Sequence, residues 1–428
     1  VTAHVLWTHT TRTGYGRYGS KLAGALRRGG YRFSETLTPD DNPGHLAVWI
    51  STPNHARGFF EGQRTVLSTM WETEQLPESF REGLGNFDQI LVPSEQNLAL
   101  FSQYHDNVAK VPLGVDAWDW RYRPRQAPST RFVFLICGNS NRKGLDLAVA
   151  AYTRLFRSFP RKSPRPVLII KSTEPYDTQG LNDGVQNVTG WLSDYEEQEL
   201  YASAHCYLQP SRGEGFGLMP LQAIAQGCPT ILTAAHGHAE FANLGWPVKA
   251  GRSEADYFIH GDGGQWWEPD LDQLCARMDE VYRDYDLAAK EAKVSSDLAH
   301  QVFSWERCAE RTVEAIGEDH FYTPYAGSGA WKVADIVRYP VIVANFWACE
   351  VAGAHYQFHP GRTYYETADV KRILYEANLL DPACVDPGHP DASGLTAAQL
   401  ERFGDYSASQ SYCHHCGQKL GSGEMYQP

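Results

Sequence analysis

Short apolar runs alternate with amphipathic stretches along the first three quarters of the chain. Ala3–Trp7, Leu46–Ile50, Thr65–Thr69 and Gln89–Val92 are compact apolar runs of the kind buried on both faces of a parallel sheet. Between the first two, Tyr18, Leu22, Ala25 and Leu26 recur at helical spacing, which predicts a helix over Arg17–Arg28 stopped by Gly29 and Gly30. The segment WTHTTRTGYGRYG places Gly14 and Gly16 in the turn before that helix, where backbone can come close to a ligand.

A Pro- and Arg-rich stretch, Trp120–Thr130, interrupts the alternation and reads as a linker. A second alternating set follows. Strands are expected at Arg131–Cys137, Pro166–Lys171, Val185–Thr189, Cys206–Gln209 and Pro229–Leu232. Helices are expected at Gly144–Phe156, Ser193–His205 and Leu218–Gln226, the middle one opened by a capping box of Ser193 with Glu196. The pattern predicts an α/β chain of two Rossmann-like, doubly wound units facing a cleft. The expected divisions are 1–118, 119–303, a returning helix at 304–320, and a small α+β module at 321–428. In that module Val333–Trp347 is strand-like, and Gly361–Tyr365 leads into a helix at Asp369–Leu380.

Length supports this division, since 428 residues suit about two or three domains. No apolar run approaches the roughly 20 residues of a membrane-spanning helix, and the N-terminus does not read as a secretion signal. A cytoplasmic protein is expected, in host cytoplasm if phage-encoded. The net charge of −13 falls mostly after residue 130, and the first 130 residues are neutral. A protein gripping nucleic acid through phosphates should carry a basic face. Only the run from Lys110 through Arg121, Arg123, Arg125 and Arg131 offers one, and it reads first as a solvated linker surface. The nine cysteines are odd in number and scattered, which argues against a disulfide framework; Cys137, Cys206 and Cys228 read as small buried apolar residues.

The sharpest chemical feature is SRGEGFGLMPLQAIAQG, residues 211–227. A strand feeds a glycine-rich turn and then a helix. Backbone amides at a helix N-terminus favour a diphosphate, and an acidic side chain in the turn suits sugar hydroxyls. A tight strand–helix turn, with glycines for packing, is the plain alternative.

This segment resembles the E-x7-E element of the family-four retaining glycosyltransferases. Three further stretches are similar to that family, in the same order: STMWETEQLPESF with FDQILVPSE and VPLGVD, then CGNSNRKGLDLAVAAY, then FSWERCAERTVEAI. The resemblance covers residues 1 to about 318. It implies a two-domain GT-B fold and a nucleotide-sugar donor, UDP- or GDP-linked. Transfer would retain anomeric configuration, as in a hexosyltransferase, without a catalytic metal. On matching positions it gives Lys143 the donor diphosphate. Glu214 takes hydroxyls of the transferred sugar, with backbone of Gly215, Phe216 and Gly217 alongside. Gly14 and Gly16 would line the cleft, Glu72 is an acceptor-side candidate, and Asp116 in the GVD turn is read as structural.

Two departures stand out. The second glutamate of the pair is Gln222, at a position that in the family faces the nucleotide ribose; an amide keeps one acceptor, loses a charge and gains a donor. The phosphate-side arginine is represented by Arg142, directly beside Lys143. The tail holds a C-x2-C knuckle, Cys413 and Cys416, with His414 and His415 between. Its spacing suits half of a structural zinc site, completed by Cys384 and His389 or by the knuckle histidines. The acceptor is left open among small molecule, glycan, protein hydroxyl and modified DNA. A phage-type enzyme acting on hydroxymethylated pyrimidines and a degenerate sugar-nucleotide-binding module are the alternatives. Trp246, Trp266 and Trp267 suit either sugar stacking or core packing. Oligomeric state is not readable.

Overall fold

The computed structural model describes residues 13–31, 33, 45–55, 62–128, 130–157, 165–181, 184–256, 263–317 and 321. It adds backbone alone for 3–7, 34–36 and four strands between 338 and 367. Two six-stranded parallel sheets carry the chain. The first contains β1 (Ala3–Trp7), β2 (Phe33–Thr36), β3 (Leu46–Ile50), β4 (Arg64–Ser68), β5 (Gln89–Val92) and β6 (Val108–Lys110), in the order β2-β1-β3-β4-β5-β6. Its helices are α1 (Gly14–Arg28), α2 (Glu78–Leu84) and α3 (Glu95–Phe101). The apolar runs form the central strands because both faces are covered: every residue of β3 and β5 is buried.

The second sheet contains β7 (Val133–Cys137), β8 (Val167–Ser172), β9 (Val185–Thr189), β10 (Cys206–Gln209), β11 (Thr230–Thr233) and β12 (Trp246–Val248). Their order is β12-β11-β10-β7-β8-β9, all parallel. Read from the other edge, this is the doubly wound order in which the chain reverses direction across the sheet between the first and fourth strands. Helices α4 (Leu145–Phe156), α5 (Asp194–Ser203) and α6 (Leu218–Ala225) connect these strands. An antiparallel hairpin of β13 (Ala250–Glu254) and β14 (Gln265–Pro269) follows, then α7 (Leu271–Arg283), α8 (Tyr285–Val302) and α9 (Trp305–Ile316).

The chain returns to the first sheet through α9. Its Trp305 stacks on Tyr18 of α1 at 5.8 Å, and Val115 donates its N–H to Phe303 at 2.6 Å. A methyl group on Gly114 would lie 2.4 Å from the Ser304 backbone, so the chain crosses itself there at closest packing. One apolar cluster consequently runs from Leu22, Val48 and Val66 of the first unit to Leu135, Tyr207 and Leu221 of the second.

Several sequence expectations are revised. Helix α1 starts three residues early, at Gly14, because the Thr13 hydroxyl accepts from Gly16 N–H at 3.0 Å and caps it. Gly14 and Gly16 therefore sit in the first helical turn rather than before it. Within and beside the strand-like stretch Val333–Trp347, β15 (Arg338–Ile342) pairs with β18 (Thr363–Thr367), and β16 (Trp347–Val351) pairs with β17 (Ala354–Phe358), both antiparallel. The helix read at 369–380, and Cys384, His389, Cys413 and Cys416, lie outside the described residues. No described helix is long and apolar enough to cross a membrane.

Glycine placement gives a direct test of the second unit. Gly144 adopts φ 75°, and an added methyl would sit 2.0 Å from the Pro210 carbonyl oxygen. Gly180 has a similar φ of 79° with nothing within 4 Å. Gly144→Ala is expected to lower unfolding free energy by more than about 2 kcal/mol, and Gly180→Ala by about 1 kcal/mol. Urea-induced unfolding followed by fluorescence checks the difference.

Candidate functional site

In a doubly wound sheet, ligands sit beyond the carboxyl ends of the strands where the order reverses. Here that point lies between β7 and β10, and the two loops leaving those strands carry the charged residues of the site. After β7, Gly138 bends at φ 155°, and Asn141–Lys143 form one 3-10 turn ending on Gly144. After β10 comes Pro210 through Gly217, and Gly217 at φ 108° opens α6.

The loops meet in a compact ionic cluster. Lys143 Nζ lies 2.7 and 2.8 Å from the two Glu214 oxygens. Arg142 Nη1 donates to Glu214 at 3.2 Å and to the Gly213 carbonyl, and its other terminal nitrogen lies 3.9 Å from Glu72. The Ser211 hydroxyl adds a bond to Glu214 at 2.9 Å. Burial alone would push the Glu214 carboxyl up, but Lys143 and Arg142 together hold it well below the usual carboxylate range. Lys143 is shifted down by burial first and by the adjacent Arg142, against the opposing pull of Glu214. Glu214 is thus a fixed carboxylate at the N-terminal end of α6.

Arg212 builds this geometry, and the sequence reading passed over it. Its guanidinium binds Asp146 through two bonds of 2.8 Å, Glu268 at 2.5 and 2.8 Å, and the Asn141 carbonyl at 2.6 Å. Its backbone N–H donates to the Arg142 carbonyl at 2.7 Å. The lysine loop, the glutamate loop and β14 are thereby locked together. The signal was present in sequence as an arginine beside the motif, but its partners are 56 to 71 residues away.

The glycines of the turn have a use beyond any ligand. A methyl on Gly213 would lie 2.3 Å from the Glu72 carbonyl oxygen, and one on Gly215 would lie 2.6 Å from the Met70 side chain. They let the second unit press against the loop that follows β4 in the first. The Tyr15 hydroxyl holds that loop through Thr69 and the Met70 backbone, at 3.1 and 3.2 Å. Phe216 turns its ring into the core, 5.4 Å from Phe241 and 6.2 Å from Phe303. His236 sits at φ 45° and donates to the Ser211 carbonyl at 2.9 Å, and burial pushes its imidazole down to about 4.

A cavity of about 630 Å³ opens between the units, lined among others by Arg17, Lys21, Asp116, Trp191, Glu197 and Gln222. Gln222 is only 8% exposed, and its Oε1 has no hydrogen-bond partner among the described residues. Asp116 accepts from Lys21 at 3.0 Å and from Trp118 N–H at 2.9 Å, so it anchors the turn as well as lining the cavity. Trp246, Trp266 and Trp267 are buried in the core and do not offer stacking faces, whereas Trp191 is 63% exposed. Three cations of the basic run have partners within the chain, Lys110 with Glu95 and Glu240, Arg123 with Glu199, and Arg125 with carbonyls at the end of α5, while Arg131 is exposed. Among the described residues no group of three or more His, Cys, Asp or Glu could hold a metal ion.

The profile described as "Family 4 Glycosyltransferase in conflict systems" matches residues 94–312, which includes both loops of this site. The chain belongs to that family. It is 29% identical over 176 residues to the D-inositol 3-phosphate glycosyltransferase of Corynebacterium aurimucosum, covering 39% of this chain and 38% of that one. It spans about a third to a half of the length of the curated relatives it matches. Among solved structures, sucrose-phosphate synthase from Thermosynechococcus elongatus aligns with TM-score 0.56 at 16% identity, over 74% of this chain and 98% of that one. Anabaena HepE, solved with UDP and glucose, aligns with TM-score 0.53 at 12% identity, over 74% and 99%. The two parallel sheets therefore resemble the GT-B glycosyltransferases in fold.

For this family-four chain, the charge cluster implies a pH signature. Because the folded-state pKa of Glu214 is depressed, its stabilising contribution is present above the ordinary value of 4.5 and is lost as pH falls below it. Glu214→Gln strands Lys143 and is expected to cost about 3 kcal/mol at pH 7. The gap between variant and wild type should narrow in urea titrations at pH 3.5.

Proposed function

We propose that this chain is a retaining glycosyltransferase, moving a sugar from a UDP- or GDP-sugar to an acceptor hydroxyl. The observation that carries the reading is the pairing of Lys143 and Arg142 with Glu214 at the sheet's reversal point. The cavity is lined by Leu218, which directly follows Gly217 of the glutamate loop, and by Gln222. Family membership and the fold shared with a UDP-binding neighbour support it.

In this reading the donor lies along α6. Its ribose hydroxyls meet the Gln222 amide, whose unpartnered Oε1 accepts one of them, and its base lies toward Trp191. The diphosphate reaches the amides at the start of α6, where the helix end favours negative charge. Lys143 and Arg142 turn from Glu214 to the phosphates, and Glu214 accepts hydrogen bonds from the hydroxyls of the sugar. As the bond between the anomeric carbon and the phosphate oxygen breaks, charge grows on that oxygen and the two cations offset it. The acceptor oxygen bonds to the anomeric carbon on the same face, and its proton passes to the departing phosphate oxygen. Glu72, 3.9 Å from Arg142 on the opposing unit, faces the acceptor side.

Donor hydrolysis without acceptor is the assay. Lys143→Ala is expected to slow nucleotide release by about 100-fold or more, while a chelating agent leaves the wild-type rate unchanged. Unaltered rates in both Lys143→Ala and Glu214→Ala would place the chemistry elsewhere. Gln222→Glu, which restores a carboxylate toward the ribose, should tighten nucleotide affinity by about fivefold, measured by calorimetry.

A further inference from the structure

We infer that Arg17 is a ligand of the donor diphosphate, exchanged from Glu197 when the nucleotide enters. The inference rests on the donor site proposed above and adds a contribution from the opposite unit. Arg17 and Lys21 stand one turn apart on α1, and both line the cavity that holds Gln222 and Trp191. That cavity also touches Leu218, one turn before Gln222 and directly after Gly217. It therefore runs along α6 from the ribose position toward the amides next to Glu214. A diphosphate following that line passes in front of α1.

Charge identifies which contact gives way. The cavity wall carries two cations, Arg17 and Lys21, against four carboxylates: Asp116, Asp119, Asp194 and Glu197. A nucleoside diphosphate brings further negative charge, so at least one cation must change partner. Lys21 is held by two carboxylates, Asp116 at 3.0 Å and Asp119 at 2.5 Å, and Asp116 is fixed in turn by Trp118 N–H. Arg17 is held by one close carboxylate, Glu197 at 2.6 Å, with Asp194 at 3.9 Å. Only its Nη2 makes that bond. Among the described residues the rest of the planar fork makes no hydrogen bond, which suits the bidentate geometry that guanidinium groups form with phosphate. Glu197 belongs to the first turn of α5, so the carboxylate stays favourably placed near a helix N-terminus after it releases Arg17.

The exchange has a structural consequence. The Arg17–Glu197 pair joins α1 of the first unit to α5 of the second. Replacing Glu197 by a phosphate keeps that join but routes it through the donor, so the nucleotide binds both units at once.

Calorimetric titration of the full chain with UDP and GDP, each beside uridine or guanosine, tests this. Arg17→Ala is expected to weaken diphosphate affinity about tenfold or more and to leave nucleoside affinity unchanged, with Arg17→Lys recovering part of the loss. Glu197→Gln should tighten diphosphate binding by about threefold, because a competitor for Arg17 is neutralised. Near-ultraviolet circular dichroism establishes that each variant keeps native packing. Equal loss for nucleoside and diphosphate in Arg17→Ala, no loss in either, or weaker diphosphate binding in Glu197→Gln would overturn the inference. If Lys143→Ala also leaves diphosphate affinity unchanged, or wild type binds neither diphosphate, the proposed donor site itself falls.

Discussion

The buried contact between Glu214 and the Lys143–Arg142 pair sets the terms for everything around it. A carboxylate and two cations taken from water are tolerated only when their geometry is held tightly and their remaining bonds are met. The chain supplies that through Arg212, which ties both loops to Asp146 and Glu268, and through Ser211. Gly144 at φ 75° and Gly217 at φ 108° let the two loops turn where other residues would be strained. Gly213 and Gly215 then let the assembled cluster meet the Met70–Glu72 loop of the first unit. The same constraint that stabilises the junction of the two sheets thus poises positive charge where a diphosphate would sit.

Cations in and around the cleft are consistently matched to carboxylates. Lys143 faces Glu214, Arg17 faces Glu197, and Lys21 faces Asp116 and Asp119. In the proposed site, an anionic donor would bind by exchange of partners rather than by filling a bare positive pocket. Affinity then depends on how firmly each internal carboxylate holds its cation.

Much of the fold was legible because its signals are local. The bounds of β1, β3, β5, β9 and β10 coincide with the runs read from sequence, and β3, β5 and β10 are buried throughout, where polar alternation has no room. The Ser193–Glu196 capping box forms reciprocally, with Glu196 accepting from Ser193 N–H at 2.8 Å and Ser193 Oγ from Glu196 N–H at 3.3 Å. What the sequence left open or missed was decided mostly by distant partners, with one local exception. Gly14 and Gly16 read as a turn, yet the Thr13 cap carries them into the helix. Trp266 and Trp267 read as sugar platforms or core, and the hairpin that buries them is decided by partners across β13. The basic run near the linker looked like a surface until Glu95, Glu199 and Glu240 folded against it. Arg212 was passed over for the same reason, since no local pattern shows that one side chain binds three separate segments.

The claim that these loops form a nucleotide-sugar site is tested most directly by thermal unfolding of the intact chain with a panel of UDP- and GDP-sugars. A donor that binds the folded state alone stabilises it by mass action, by about 2.7 kcal/mol at a hundred times its dissociation constant. A concentration-dependent rise in melting temperature is expected for at least one sugar nucleotide, absent in Lys143→Ala. An unchanged melting temperature across the panel at millimolar concentrations would contradict it.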